Sequence, residues 1–425
     1  MIRIEDQDVD PGSRSGIVLF LGMVRRGEFE SLQGRGLSLG VLVDTNSKQR
    51  LADVSRFAFV ERFDFSRPLE ELIEAVGEIQ KTRGITCLFN VIEFYVARAA
   101  DVAAALGIPS ISPVSSRLCL DKSAMRRRFQ ERIGPEAVAR FQDVHTEEDL
   151  RDHAGRFGYP LFLQPTNVSA SMWSTRNNDL EALLSNYRAM KEEVPRYYEK
   201  LGQKEKQLNV VVAEYLEGSN TSIDCLIDAA GHPFTTPVVD VLTGRDVGID
   251  DFHHFARLVP SRLDPSARED LRRLAVKGVQ ALEMTCCAAH VEFIGQRLGE
   301  IAARPGGNRP RILGLGYGID LLHAYYQILQ GSDPDLTASH HRAAAIVTPF
   351  PAINGTLREI RHLDRIAELP GYLYHEVRAQ PGQVVGLANS GYRAPLYIEL
   401  MSDEADAVRR GVDRIASWSD LYVVD

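Results

Sequence analysis

Cysteine is scarce in this chain, which holds five among 425 residues. They are Cys87, Cys119, Cys225, Cys286 and Cys287. None of them forms a C-x-x-C pair, and an odd number of scattered cysteines is typical of reduced thiols rather than of a disulfide framework. The adjacent pair at 286–287 lies in an apolar stretch, which favours two small buried side chains over a redox pair. The cysteines therefore predict a cytoplasmic protein.

Long hydrophobic runs and an excess of basic residues are missing as well. The longest early apolar run, residues 17–24, is far too short to span a bilayer, and acidic residues precede it. These features predict neither a secretory signal nor a membrane partner. A net charge of -9 argues against nucleic-acid binding. The one notable basic run, residues 126–128, is expected on the solvated face of a helix.

The first part of the chain alternates predicted strands and helices. Continuous apolar runs at 16–22, 39–44 and 85–90 suit strands that are buried on both faces. A shorter strand is expected at 57–60, and the apolar spacing predicts a helix over 69–81. Together these elements predict a doubly wound α/β unit that ends near residue 113.

The remainder of the chain mixes helices and strands, as expected for two or three packed units in 425 residues. A strand over 221–228 follows a turn at Gly218 and is expected to pair with the strand before it, at 210–216. Asp264 and Pro265 have the residue types that open a helix. A smaller α+β unit is expected from about residue 340 to the end.

The most informative segment runs from residue 290 to residue 307 and contains two glutamates, an arginine and a Pro-Gly-Gly turn. Gly295, Gln296 and Arg297 can form a three-residue hairpin loop, with Ile294 opposite Leu298. Side chains on one face of a strand recur at every second residue. The hairpin therefore places Glu292 directly opposite Glu300, with Ala302 and Arg304 on the same face.

Two carboxylates opposed across a hairpin lie roughly 5 Å apart and repel each other. A divalent cation would offset that repulsion, since carboxylates completed by phosphate oxygens and water form a common magnesium site. Arg304 could bind phosphate or a developing negative charge through its planar guanidinium group. The small residues Gly306 and Gly307 would let a ligand approach the backbone closely. The alternative is that both glutamates are solvated on an exposed face of the hairpin.

In their order and separation these segments resemble the ATP-grasp superfamily, and most closely its dipeptide-forming branch, the L-amino acid ligases of bacilysin and dapdiamide type. The resemblance covers nearly the full chain. It implies an α/β and α+β protein with the ATP-grasp fold. The implied parts are an N-terminal doubly wound α/β domain over 14–113, a central ATP-grasp domain over 114–332 and a small C-terminal lobe over 333–425.

The resemblance also assigns roles to individual residues. The D-K-x-x-M-R string at 121–126 is similar to the segment with which the family's ATP-grasp domain begins, in which Lys122 would contact an ATP phosphate. Residues 162–171, with Gln164 and Ser171, look like the strand and loop that cover the phosphates. Residues 213–218 resemble the interdomain hinge segment, in which Glu214, Tyr215 and Leu216 would hold adenine. Glu292 and Glu300 match the family's metal ligands, and Arg304 matches its catalytic arginine.

Several residues depart from the family pattern. Gln164 stands where a second ATP lysine is usual, and Asn220 stands where a glutamate commonly follows the hinge. Ala302 replaces an asparagine that serves as an auxiliary metal ligand in many members. Lys204 or Lys206 could supply the charge that Gln164 lacks. These departures bear on catalytic rate more than on the fold.

The resemblance implies an enzyme that uses ATP and Mg2+ to join a small-molecule carboxylic acid to an amine through an acyl phosphate, with amino-acid-like substrates. Homodimers are common among such proteins, so a homodimer is an expectation here. Two alternatives remain: a carboxylase or formyltransferase of the purine or biotin type, and a nucleotide-binding protein that has lost turnover.

Three further sites are interpreted from the residues alone. Glu93 follows a strand at the carboxyl edge of the predicted sheet, where it would either contact a substrate or interact with a helix N-terminus. The adjacent histidine pairs at 253–254 and 340–341 are expected at the surface, because neighbours in sequence rarely converge on one metal.

Overall fold

The computed structural model describes residues 16–24, 27–47, 54–168, 171–200 and 206–425. The strands there are β1 Ile17–Gly22, β2 Leu39–Asp44, β3 Phe59–Phe63, β4 Ile85–Phe89, β5 Phe141–Val144, β6 Leu161–Pro165, β7 Thr175–Asn177, β8 Val210–Glu214, β9 Asn220–Ile227, β10 Pro233–Thr235, β11 Val239–Thr243, β12 His254–Val259, β13 Cys287–Ile294, β14 Arg297–Ala302, β15 Ala343–Val347, β16 Gly355–Ile360, β17 Tyr372–Val377, β18 Val384–Val385, β19 Leu396–Ser402 and β20 Tyr422–Val424. The helices are α1 Glu28–Gly34, α2 Leu69–Arg83, α3 Val96–Leu106, α4 Pro113–Leu120, α5 Lys122–Arg132, α6 Glu147–Phe157, α7 Leu180–Lys200, α8 Pro265–Ala281, α9 Arg309–Tyr317, α10 Leu321–Leu329 and α11 Ala405–Ala416.

The N-terminal sheet is parallel and has the strand order β3-β2-β1-β4. β1 and β2 are buried along their whole length, which is why their sequences are continuously apolar. The predicted strands at 16–22, 39–44 and 85–90 are confirmed, and the strand predicted at 57–60 lies slightly later, at 59–63. The carboxyl ends of β1, β2 and β4 meet at one edge of this sheet, and Glu93 follows β4 there.

A second sheet is small and antiparallel, with the order β5-β8-β6-β7. Two helices, α6 and α7, pack beside it around a shared hydrophobic core. Helix α6 begins with a capping box, in which Thr146 and Asp149 satisfy each other's backbone N–H groups. We call this sheet the small sheet, and we call the sheet together with its two helices, residues 141–214, the small unit.

A third, large sheet has nine strands in the order β14-β13-β9-β11-β12-β15-β19-β17, with β10 paired to β9. Strands β15, β17 and β19 come from the region after residue 340, so this region extends the large sheet. The expected pairing of 221–228 with 210–216 is wrong, because β9 pairs with β13, β11 and β10 while β8 pairs with β5 and β6. Residues 215–219 do not turn back on themselves; they cross from the small sheet to the large one.

The β13–β14 hairpin has a shorter turn than expected. Gly295 and Gln296 form a two-residue turn, and Ile294 pairs with Arg297. The expected pairing of Ile294 with Leu298 is therefore wrong. A bulge at Gly299 restores the register, so Glu292 does lie directly opposite Glu300, as predicted.

Each face of the large sheet is covered. Helices α9 and α10 lie between this sheet and the N-terminal sheet, in one hydrophobic core. The opposite face carries α8 and α5 near β13 and β9, and α11 near β15 and β19. None of the helices in the described ranges combines the length and apolarity needed to cross a membrane.

Candidate active site

The two opposed glutamates each have a basic partner. Glu300 accepts a hydrogen bond from the Lys122 ammonium at 3.1 Å. Glu292 lies 3.1 Å from Nε2 of His290 and 3.9 Å from Nε2 of His254. Lys122 is the first residue of α5, so the helix start and the hairpin meet at this point. The pair is thus a charged cluster in a cleft and not a solvated hairpin face.

The cluster perturbs the ionisation of both carboxyl groups. Burial raises the pKa of Glu300, and the negative charges of Glu93 and Glu292 raise it further, against the opposing effect of Lys122. Burial alone would also raise the pKa of Glu292. Hydrogen bonding to His290 and nearby positive charge outweigh burial and hold the pKa of Glu292 below its ordinary value. Glu300 therefore carries the less favourable charge of the pair.

Arg304 joins the hairpin to the N-terminal sheet. Its Nη2 donates to Glu93 at 2.8 Å, and both side chains are largely buried. Burial would lower the pKa of Arg304, but Glu93 and the two hairpin glutamates raise it. Its Nε is buried and has no partner among the described residues. The sequence assigned Glu93 to the sheet edge, and the structure brings it to Arg304.

The Pro-Gly-Gly turn packs tightly beneath this cluster. A Cβ atom on Gly306 would lie 2.3 Å from Nδ1 of His290 and 2.5 Å from Cγ of Arg309, so only glycine fits there. The Gly306 N–H donates to Asp224 at 2.6 Å, and Asp224 also lies 3.3 Å from His290. The carbonyl of Gly307 accepts from Arg309 at 3.2 Å.

A buried arginine and a half-buried one beside Glu292 lack an acidic partner within the described residues. Arg309 is 1% exposed and donates to Ser222 Oγ at 2.9 Å, yet its Nη2 has no partner among the described residues. Arg257 donates to Thr348 Oγ1 at 2.6 Å, and its Nε is likewise unpaired within the described ranges. Burial and the neighbouring charge of Arg309 lower the pKa of Arg257 to about 9. No carboxylate in the described part of the chain lies within 4.0 Å of either guanidinium.

A cavity of about 360 Å3 opens between the small sheet and the large one. It is lined by Phe162, Tyr215 and Phe252, whose rings pack against each other, and by the hinge segment 214–218. The backbone N–H and C=O of Leu216 have no partner among the described residues. The cavity reaches Ile294, two residues after Glu292 on β13, and Gly299, which directly precedes Glu300 on β14. Aromatic rings, free backbone groups and a neighbouring charged cluster suit a nucleotide.

Two cavity residues differ from expectation. The carboxylate of Glu214 is already bound by Arg140, at 2.6 Å, and by Arg297. The run at 126–128 was expected on a solvated helix face, but Arg126 is 7% exposed, lines the cavity and has an unpaired Nη1. That part of the expectation is wrong, because one face of α5 packs against the cavity, whereas Arg127 points to solvent and pairs with Asp143.

The predicted phosphate loop follows β6. Gln164 lies two residues after Phe162, on the same face of the strand, and is 5% exposed with an unpaired Nε2. Ser171 has a φ angle of 53°, in the left-handed region, and opens a turn closed by the Ser174 N–H. Residues 169–170 of this loop, and Lys204, lie outside the described residues.

Sequence reasoning missed several residues of this cluster. His253 and His254 were expected at the surface, yet His253 is buried and His254 lies beside Glu292, so that expectation is wrong. Asp224 and Arg309 carried no motif of their own. The alternation of polar residues along β9, at 220, 222 and 224, was the available signal, because alternation on a buried strand marks a polar face.

The residues at the carboxylate pair fit a magnesium ion. The described ranges contain no group of three or more His, Cys, Asp or Glu side chains that could hold a metal. Magnesium is usually held by one or two carboxylates together with water and phosphate oxygens, which is what Glu292 and Glu300 could offer. The raised pKa of Glu300 reflects burial first and then the negative charges of Glu93 and Glu292, which a cation would relieve.

Comparison with known proteins agrees with this geometry. A family model described as an ATP-grasp domain matches residues 157–307. Alanine–anticapsin ligase of Bacillus amyloliquefaciens is 23% identical over 327 residues, a match that covers 70% of this chain and 66% of that ligase, so the chain spans about two thirds of this relative.

Solved structures show the same fold. An L-amino acid ligase from Bacillus licheniformis superposes with a TM-score of 0.78 at 15% identity, over 97% of this chain and 99% of that one. A carboxyaminoimidazole ribonucleotide synthase from Asperigillus clavatus, complexed with ATP, gives a TM-score of 0.69 at 17% identity, over 96% and 98% of the two chains. The chain therefore contains an ATP-grasp domain over residues 157–307 and has the ATP-grasp fold, and its similarities support the L-amino acid ligase branch.

Proposed function

We propose that this protein is an ATP-dependent carboxylate–amine ligase that joins two amino-acid-like substrates through an acyl phosphate. The observation that carries the proposal is the opposed pair Glu292 and Glu300, flanked by Lys122 and Arg304 and next to the cavity between the two sheets. This arrangement combines a place for a nucleotide with the charges that phosphoryl transfer requires.

The cavity would hold the adenine, with the free backbone groups of Leu216 as hydrogen-bond partners and Tyr215 and Phe162 against the ring. The triphosphate would then run along the hairpin towards the carboxylate pair. Lys122 lies four residues before Arg126 on α5, so both side chains lie on one face of that helix. When bound, magnesium would neutralise charge on the phosphate oxygens.

In the first step, a substrate carboxylate oxygen attacks the γ-phosphorus of ATP, ADP leaves and an acyl phosphate forms. Lys122 and Arg304 contribute by positioning the groups and compensating charge. In the second step, the amine nitrogen attacks the acyl carbon, phosphate leaves and the nitrogen gives up a proton. Arg304 is suited to stabilise the oxyanion of that step, because its buried Nε is unpaired.

The two unpaired arginines support amino acids as substrates. Arg309 and Arg257 each have a buried nitrogen without a partner in the described ranges, and such groups are costly unless a ligand binds them. A planar guanidinium matches a carboxylate well. We assign this pair to the α-carboxylate of the amine substrate, next to the reacting centre at Glu292.

The test is ATP turnover with pairs of amino acids, followed as ADP and phosphate release and as product mass. The proposal expects release that depends on both substrates and a product with one amide bond. Release that depends on bicarbonate or formate instead would indicate the carboxylase or formyltransferase alternative. Tight ATP binding with no turnover on a broad panel would indicate a nucleotide-binding protein and would overturn the ligase proposal.

Acceptor choice can be tested in the same assay. An amino acid should be a far better acceptor than the same amino acid with its carboxylate converted to an amide. Arg257→Lys should narrow this difference, because lysine cannot reproduce the planar, two-point contact. Arg311→Lys is the matched control, since Arg311 is bound by Glu399 at 2.8 and 2.6 Å and should not contact the substrate. Equal use of acid and amide by the wild type would contradict the assignment.

A further inference from the structure

Gln164 brings no charge to the expected phosphate loop, although it is buried on the cavity side of β6. Its amide nitrogen has no partner among the described residues. An uncharged donor at this position leaves Lys122 as a single ammonium for a ligand that carries several negative charges. A second positive group near this loop would help to neutralise the negative charges of that ligand.

Lys206 lies at that loop. Its ammonium donates to the carbonyl of Asn167 at 2.9 Å, and Lys122 donates to the next carbonyl, that of Val168, at 3.1 Å. Two ammonium groups therefore bind consecutive carbonyls of one short segment. Lys122 donates in addition to Glu300 of the carboxylate pair, so this segment borders the centre of the cluster.

The position of Lys206 is fixed by several contacts. Its ammonium lies 4.8 Å from the centre of the Tyr198 ring, and the Tyr198 hydroxyl donates to Asn167 at 2.5 Å. The Asn167 amide in turn donates to the carbonyl of Gln207 at 3.0 Å. These contacts hold the segment at 206–207 against the loop at 166–168 and keep the long lysine side chain in place.

The charges that act on Lys206 belong to the cluster around the carboxylate pair. Burial and the charge of Lys122 lower the pKa of Lys206, and the charge of Glu93 opposes them. Glu93 is the carboxylate that binds Arg304, so Lys206 shares its electrostatic surroundings with both the lysine and the arginine of the cluster. Two neighbouring ammonium groups repel each other, and a polyphosphate placed between them would turn that repulsion into attraction.

We propose that Lys206 is a nucleotide-binding residue, which supplies from the segment before β8 the second phosphate-binding ammonium that β6 lacks at Gln164. The proposal rests on the proposed function, because it assumes that the cleft binds ATP. The alternative is that Lys206 only stabilises the loop at 166–168, through its contacts with the Asn167 carbonyl and the Tyr198 ring. The two differ in whether the effect of Lys206 depends on the number of phosphates on the ligand.

The experiment compares the affinity of the full chain for AMP, ADP and a non-hydrolysable ATP analogue, with magnesium present. Lys206→Met keeps the aliphatic stem over Tyr198 and removes the charge. We expect this variant to bind the ATP analogue about tenfold more weakly, a modest loss for a charge-assisted contact because Lys206, although partly desolvated, remains accessible to solvent. The loss should shrink for ADP, vanish for AMP and be smaller at high salt.

A rescue variant makes the test sharper. Gln164→Lys places an ammonium at the buried position on β6, so the double variant with Lys206→Met should recover most of the affinity for the ATP analogue. Lys191→Met is the matched control, because Lys191 also lies over a tyrosine ring, that of Tyr187 at 5.5 Å, on the same small unit. Its removal should leave all three affinities unchanged.

The outcomes separate the two proposals. Unchanged affinity of Lys206→Met for the ATP analogue, or an equal loss for AMP and the ATP analogue, would overturn the assignment of Lys206. If Gln164→Lys prevents folding, the phosphate-number and salt dependence of Lys206→Met decide alone. A wild-type chain that binds no nucleotide would overturn the proposed function itself, whereas normal binding with an inert Lys206 would overturn only this inference.

Discussion

Replacement of Glu300 by glutamine should have opposite effects on the free protein and on catalysis. Two carboxylates about 5 Å apart repel by roughly 3 kcal/mol at an effective dielectric constant of about 20. Lys122 offsets this repulsion, while burial adds a desolvation cost, and the raised pKa shows that the charged form of Glu300 is disfavoured overall. After solvent screening the net penalty is about 1 kcal/mol. Glu300→Gln should therefore leave the free protein as stable or stabilise it by about that amount.

The same substitution removes a proposed magnesium ligand. Loss of one charged contact of this kind costs about 1.5–3 kcal/mol, so the magnesium concentration needed for half-maximal ADP formation should rise by about 10- to 100-fold. Thermal unfolding with and without Mg2+ and ADP measures the effect on stability. The rate of ADP formation as a function of magnesium concentration measures the effect on catalysis. Glu283→Gln is the control, because Glu283 is an exposed glutamate paired with Arg128 and Arg132.

The pH dependence of stability gives an independent check. Because the pKa of Glu300 is raised in the folded protein, the unfolded chain loses this proton first, and the free protein should lose stability as pH rises through that window. Glu300→Gln should remove this part of the slope. The reasoning would be refuted if Glu300→Gln lowered the stability of the free protein by more than about 1 kcal/mol. Magnesium dependence equal to that of the wild type would refute it too.

Three further outcomes are expected. Deletion of Gly299 should remove the bulge and leave Glu300 opposite Glu292 in a regular ladder, so that magnesium-dependent ADP formation is largely retained; a fall of at least about 100-fold with unchanged circular dichroism would contradict the register. Arg304→Met should lower kcat by about 100- to 1,000-fold with little change in nucleotide affinity measured by calorimetry, and a change confined to affinity would speak against an oxyanion role. Burial raises the pKa of Glu214, but its arginine partners lower it by more. The ionised carboxylate should therefore stabilise the fold fully above about pH 4.5, and this stabilisation should be lost as the pH falls through the lowered pKa of the folded protein. Acid unfolding of Glu214→Gln should lack this loss, and identical acid unfolding curves would contradict the ion pairs.

The carboxylate pair was predictable because it depends on short-range spacing. The opposition of Glu292 and Glu300 survived a wrong prediction of the turn because the bulge at Gly299 adds the one residue by which the observed turn is shorter than the expected one. The bulge at Gly299 was not predictable, because a glycine in a strand is compatible with regular pairing too. Burial of the first strands followed directly from their continuous apolar sequences.

Residues brought together from distant elements were not predictable in the same way. Arg309 meets Ser222 across 87 positions, and His290 meets Asp224 across 66, without a local pattern that links them. The pairing of β9 was mispredicted because a glycine before a strand often marks a hairpin turn, whereas Gly218 here lies in a crossing between two sheets. Long-range topology, and not local propensity, decided each of these cases.

The crossing at 215–219 separates two bodies with different mechanical roles. The carboxylate pair, Arg257 and the strands β15, β17 and β19 belong to one hydrogen-bonded sheet, so a movement of any one of them is transmitted to the others through backbone bonds. Within the described ranges, the small sheet, which carries Gln164, has no strand pairing with that sheet. Rotation about the crossing would open the proposed nucleotide cleft without disturbing the geometry between the carboxylate pair and Arg257, and a chain cut before β15 would lose that geometry because β12 would become an unpaired edge.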